Sequence, residues 1–216
     1  MKSLMEKILS KFITIEGIEG AGKTTAVSFV QSFLQEKKIP FIVTREPGGT
    51  PIAEEIRRVL LHHHNESMTD ITELLLFFAA RAQHLENTIL PALNSGKWVV
   101  CDRFVDASFA YQGGGRKLPL TLLQCLEKYV LKGKQPNLTI LLDLPVSVGM
   151  SRIKTRGQHD RIEQEKQIFF ESVRQSYLKR AAQFTQRFNI LDADCSMAMM
   201  KTRLYTLLTD FLNRQC

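Results

Sequence analysis

Between an apolar, β-branched run, Phe12-Ile-Thr-Ile15, and a segment of helical periodicity lies Gly17-Ile-Glu-Gly20-Ala-Gly22-Lys23-Thr24, an instance of G-x-x-x-x-G-K-[ST]. Few features constrain a chain so tightly. The loop works only if a strand delivers the chain to it and a helix leaves it, so that inward-turned N–H groups and the positive helix end face one anion. A Cβ at the glycines would crowd the anion's oxygens. The sequence therefore predicts a strand–loop–helix unit within a parallel sheet. Gly17, Ile18, Glu19, Gly20, Ala21, Gly22, Lys23, Thr24 and Thr25 form its nucleotide-phosphate site. Lys23 is placed to reach the β- and γ-phosphates of ATP or GTP, and the Thr24 hydroxyl to ligate Mg²⁺.

Further apolar runs follow: Phe41-Ile-Val-Thr44, Trp98-Val-Val-Cys101, Leu138-Thr-Ile-Leu-Leu142 and Phe188-Asn-Ile-Leu191, with helical periodicity between them. Continuous apolar strands alternating with helices indicate a parallel sheet buried on both faces. The fold class is α/β, a three-layer α/β/α phosphate-loop domain with a five-stranded parallel sheet. We expect one domain over residues 1–216, with a lid inserted at about 149–164. Thr50 before Pro51 reads as a helix start, and Asp70 with Glu73 fits a capping box.

The formal net charge of +7 favours anionic partners, but the longest basic runs are pairs such as Lys37-Lys38 and Arg57-Arg58. No nucleic-acid partner is expected from them. Cys101, Cys125, Cys195 and Cys216 show neither CxxC spacing nor histidines to complete a zinc site, which suits reduced thiols in the cytoplasm. The first residues, MKSLMEKILSK, lack the apolar core of a signal peptide, and no run is long enough to cross a membrane. His62, His63 and His64 read as a solvated loop.

The phosphate loop alone leaves GTPases, motors, transport subunits and small-molecule kinases open. No N-K-x-D base-reading segment is present. On the acceptor side, strand three ends in Asp102-Arg103: a carboxylate for the Mg²⁺ hydration shell, then a planar fork of donors for an oxyanion. Asp143, at the end of the next strand, reads as structural. Arg45 closes the second strand at the sheet edge where ligands collect, so Arg45 and Arg103 can grip one phosphate from two strand ends. Phe77 and Arg81 share a helix face, an aromatic ring for a base and a guanidinium for its carbonyl edge. Ser108, Tyr111 and Gln112 precede three glycines that permit a turn over a nucleoside. Arg152, Arg156 and Arg161 lie in the lid segment and are the candidate catalytic arginines, because the phosphate loop itself carries none.

Together, FITIEGIEGAGKTTA, TREPGGT, LLLFFAARAQH, CDRFVDASFAYQGGGR and RGQHDRIE resemble the thymidylate kinase family in its bacterial form. Leu191-Asp-Ala193 also looks like the family's last strand and adenine edge. The resemblance implies a fold of the nucleoside monophosphate kinase type, a homodimer, and phosphorylation of dTMP to dTDP with ATP and Mg²⁺. It implies that Phe77 stacks on thymine, Arg81 bonds its carbonyl edge, and Arg45 and Arg103 bind the dTMP phosphate. Tyr111 would crowd the sugar's 2′ position, with Ser108 and Gln112 near the base and Glu19 positioning the sugar or metal. Arg152, Arg156 and Arg161 look like lid arginines of the bacterial subtype. Phe104 stands where the family commonly has Tyr or His. The rival readings are a kinase for another nucleoside or monophosphate, and a nucleotide-dependent switch or binding module.

Overall fold

A computed structural model describes residues 11–154 and 160–214. Strand β1 (Phe12–Glu16) enters helix α1 (Lys23–Glu36) through the phosphate loop, and β2 (Phe41–Arg45) leads to α2 (Pro51–Leu61). Next come α3 (Asp70–His84), a π-helical stretch over Leu85–Ile89, α4 (Leu90–Asn94) and β3 (Trp98–Asp102). A short α5 (Val105–Ser108) runs into a second π-helical stretch, Phe109–Gly115, before α6 (Leu120–Leu131). The chain continues with β4 (Leu138–Asp143), α7 (Val146–Lys154), α8 (Gln167–Gln183), β5 (Phe188–Asp192) and α9 (Met197–Asn213).

All strand pairs are parallel, in the order β2-β3-β1-β4-β5. Side chains of β1 and β3 alternate between two cores, as a sheet covered on both faces requires. Ile13, Ile15, Trp98 and Val100 pack on the side of α1 and α9, whereas Phe12, Val99 and Cys101 pack with Leu74 and Phe78 of α3 and Leu123 of α6. Thr14 is fully buried in the sheet but donates its hydroxyl to Thr139 on the neighbouring strand at 3.0 Å, so no polar atom is stranded there. The five expected strands are all present. In each the sheet adds one polar or charged residue at the C-terminal end, and two of these, Arg45 and Asp102, line the site.

Helix starts show one agreement and one difference. Thr50 caps α2, its hydroxyl accepting from Ala53 N at 3.2 Å with Pro51 in the first turn. For α3 the cap is Thr69 rather than Asp70, its hydroxyl accepting from Thr72 N at 3.2 Å. Glu73 is no capping-box partner. Its carboxylate is drawn inward by Arg116 and Arg161. The histidine segment is exposed, as read from the sequence, with His64 near the Val59 carbonyl.

Candidate active site

The phosphate loop adopts the left-handed backbone that only glycine reaches without strain, with φ 142° at Gly17, 74° at Gly20 and 87° at Gly22. Gly20 also lies against the first turns of α7, where a Cβ would fall 2.4 Å from the Gly149 carbonyl oxygen. Ile18 and Ala21 are buried anchors of the loop, and Gly22 hands the chain to α1. Lys23 Nζ donates to the Gly17 and Ile18 carbonyls at 3.2 and 2.9 Å, folding over the loop it belongs to. Burial and the nearby Arg103 lower its pKa to about 8, against the pull of Glu19, Asp102 and Glu16.

A cavity of about 210 Å³ opens from this loop. Glu19, Gly20, Gly22, Lys23 and Thr24 of the loop line it. So do Arg45, Phe77, Asp102, Arg103, Ser108, Tyr111 and Gln112, which sequence reasoning had proposed on separate grounds. Sheet register accounts for part of this convergence, because Arg45 pairs with Asp102 and Ile15 pairs with Asp102, bringing three strand ends side by side. Thr25, Gly17, Ile18 and Ala21 support the loop without lining the cavity.

Arg103 sits at φ 67°, a left-handed conformation unusual for a branched-off Cβ and a place where strain is held by its surroundings. Its guanidinium donates to Glu19 at 2.8 Å and to the Tyr177 hydroxyl at 3.3 Å, and lies 4.8 Å from the Tyr111 ring centre. Burial works against this charge, but Tyr111, Glu19 and Tyr177 outweigh it and hold the group firmly protonated. Tyr111, kept neutral by burial above all, donates its hydroxyl to Glu19 at 2.6 Å. Glu19 is thus fixed by two donors beside the loop. Arg45 is half exposed and paired with Glu54 at 2.9 Å, a pair weak enough in solvent to open toward an anion.

One atom asks for a cation. Asp102 Oδ1 is buried and has no hydrogen-bond partner among the described residues, in the wall of the cavity that Thr24 and Lys23 also line. A lone carboxylate with a threonine hydroxyl suits Mg²⁺, which takes one or two carboxylates and completes its shell with water and substrate phosphate. Asp143, read as structural, is held in a two-pronged pair with Arg174 at 2.7 and 2.9 Å.

Three proposed residues lie differently. Arg81 is not among the cavity's lining residues but buried behind it. It donates to Glu46 at 2.7 Å, Ser108 at 3.0 Å and the Phe104 carbonyl at 3.1 Å, because a full charge placed that deep needs these partners. Arg161 also turns away from the cavity, donating to the Leu60 carbonyl and to Glu73. Arg152 lies outside the cavity, on the flank of the loop, 3.2 Å from the Gly20 carbonyl and beside Ala193 at the end of β5. Arg156 falls outside the described residues.

The sequence reading missed Arg57, which lines the cavity and donates to the Pro47 carbonyl at 2.8 Å. Its signal was the face of α2, since Ala53, Arg57 and Leu60 recur at helical spacing on the side that packs inward. Asp160, Ile162 and Glu163 also line the cavity, and Asp160 caps their turn by accepting from the N–H groups of Ile162 and Glu163 at 2.9 Å each.

A family model described as thymidylate kinase matches residues 15–203. The chain belongs to the thymidylate kinase family. A thymidylate kinase of Vesicomyosocius okutanii (strain HA) is 53% identical over 183 residues, 85% of this chain and 89% of the relative. One from Nitrosomonas eutropha is 48% identical over 205 residues, 95% of each chain. One from Pseudomonas putida (strain GB-1) is 51% identical over 203 residues, 94% of this chain and 97% of the relative. Among thymidylate kinases the five-stranded parallel sheet and its phosphate loop are accordingly the family's fold.

Proposed function

We propose that this chain transfers the γ-phosphoryl group of ATP to the phosphate of dTMP, giving dTDP and ADP. The observation that carries the reading is the placement of Arg45 and Arg103. Arg45 ends β2 and Arg103 follows the end of the adjacent β3, and both line the same cavity as Lys23 and the phosphate loop. A donor polyphosphate on the loop and an acceptor phosphate between these arginines would meet within the cavity.

In this reading the loop amides and Lys23 hold the β- and γ-phosphates, while Arg45 and Arg103 bind and partly neutralise the acceptor phosphate. An acceptor oxygen attacks the γ-phosphorus, the bond to the β,γ-bridging oxygen breaks, and that oxygen leaves on ADP. Thr24 and Asp102 would hold Mg²⁺, which spreads the charge of the phosphates. Phe77 offers its ring to the thymine, Ser108 and Gln112 line the base end, and Arg81 acts from behind by fixing Ser108. Tyr111, pinned to Glu19, presses on the sugar. Arg152, beside Gly20, is the lid arginine this geometry favours for the donor side; Arg156 belongs to the same proposal.

The proposal treats the chain as one kinase domain with its lid in the 149–164 segment. It also holds that two copies pair through exposed apolar side chains, with Ile52 and Val59 on α2 and Ile71 and Leu75 on α3, two helices that pack together. Light scattering on the eluted protein then gives twice the chain mass. Cytoplasmic residence is in keeping with the unpaired Cys101, Cys125 and Cys195. No described helix is long and apolar enough to cross a membrane.

The direct test is coupled ADP release with dTMP, dUMP, dGMP and thymidine. The reading expects dTMP to be turned over well and thymidine hardly at all, since the arginines have no anion to hold. Equal turnover of thymidine would overturn it.

A further inference from the structure

One buried carboxylate links the base end of the cavity to the lid. Glu73, on α3, has a side chain only 2% exposed. Its Oε1 accepts from Gln112 Nε2 at 2.9 Å and Arg116 Nε at 3.2 Å, and its Oε2 accepts from Arg116 Nη2 at 3.1 Å and from Arg161 Nη2. These donors come from separate places. Gln112 belongs to the π-helical stretch that lines the cavity, and Arg161 to the capped turn that re-enters from the lid. Arg116 also pairs with Glu165 in that turn.

Each contact has a consequence. With its amide nitrogen committed to Glu73, Gln112 keeps its carbonyl oxygen as the acceptor available to a base. Arg161 is held at both ends of its guanidinium, by Glu73 and by the Leu60 carbonyl, and its own N–H donates to the Leu61 carbonyl at 3.3 Å. The lid's return turn is therefore docked onto α2 and α3 through this residue. Four donor contacts from three side chains overcome the cost of burying the carboxylate and leave it ionised.

We propose that Glu73 is a positioning residue of the reaction: it orients Gln112 toward the acceptor base and, through Arg161, couples acceptor binding to the seat of the lid. The inference rests on the placement of dTMP in this cavity. Glu73→Gln keeps the volume and one acceptor but removes the charge that two arginines share. We expect the dTMP KM to rise about tenfold, the order of one charge-assisted hydrogen bond. The ATP KM should rise as well, because the lid loses its anchor.

The test is a double-mutant cycle. Glu73→Gln combined with Gln112→Ala should raise the dTMP KM by clearly less than the product of the two single effects, and Glu73→Gln with Arg161→Met should do the same for the ATP KM. A merely structural Glu73 would lower thermal stability and kcat while leaving both KM values and both cycles additive, and that outcome overturns the proposal. If Glu73→Gln does not fold, Gln112→Ala with Arg161→Met asks the same question without touching Glu73, and additivity again overturns it. The placement of dTMP fails separately: it is wrong if Gln112→Ala leaves the dTMP KM unchanged, whereas a raised KM in Gln112→Ala with no effect of Glu73→Gln removes only the coupling.

Discussion

Replacing Arg103 with methionine keeps most of the side chain's apolar bulk and removes its charge. Arg103 is 16% exposed and bonded at 2.8 Å to a Glu19 carboxylate that is 12% exposed, so neither group is strongly screened by solvent. The dTMP phosphate then loses one of two guanidinium partners, while Glu19 keeps the Tyr111 hydroxyl as its remaining side-chain donor among the described residues. A hydrogen bond to a charged group contributes about 1.5–3 kcal/mol, so kcat/KM for dTMP should fall by about 10- to 150-fold. The ATP KM should move less than the dTMP KM, because Arg103 reaches the donor side only indirectly, through Glu19 and its charge near Lys23. Arg103→Lys restores the charge without the planar fork and should fall between the two. The assay is coupled ADP release with dTMP varied at saturating ATP, then the reverse. A loss in dTMP kcat/KM below about threefold, or an equal loss on the ATP side, would refute the acceptor-phosphate role.

Three further outcomes are expected. Lys23 has a pKa of about 8, below its ordinary 10.5, so at pH 8.5 part of it is neutral until an anion arrives. ATP binding should then take up protons, seen by calorimetry in buffers of different ionisation enthalpy, and Lys23→Met should lose that uptake; equal uptake in the variant contradicts it. Glu16 is raised from 4.5 to about 8, by burial first and then by Asp106, so the folded state keeps a proton the unfolded chain sheds. Its stabilising contribution is complete below pH 4.5 and is lost as pH climbs through about 8, so the melting temperature of the wild type should fall across that window relative to Glu16→Gln; parallel curves would count against it. Gly20→Ala puts a methyl group against the Gly149 backbone at a φ of 74°, and should both destabilise the fold and weaken ATP binding by about tenfold or more; a variant with normal ATP affinity would show that the loop tolerates that shift.

How much of this was legible depends on the range of the interaction. The strands announced themselves as apolar β-branched runs, and the phosphate loop as glycines at fixed spacing, because both signals are local. Arg45 and Arg103 could be paired from sequence because one ends a strand and the other directly follows one, and strand ends share one edge of a parallel sheet. Glu73 was misread for the opposite reason. A glutamate three residues after Asp70 matches a capping box, and nothing nearby in sequence says that arginines 43 and 88 positions away will claim it. Arg81 and Arg161 likewise looked like free donors until the carboxylates and carbonyls around them were known. Arg57 was visible in the helical spacing of α2 but stood beside Arg58, which faces solvent and made the pair look like ordinary surface.

The claim beneath the rest is that donor and acceptor phosphates meet in the cavity between the loop and the two strand-end arginines. A crystal structure with dTMP and a non-hydrolysable ATP analogue measures this directly. The account predicts the dTMP phosphate within hydrogen-bond distance of Arg45 and Arg103, its pyrimidine on Phe77, and the γ-phosphate on the Lys23 side in line with it. A dTMP phosphate touching neither arginine would contradict it.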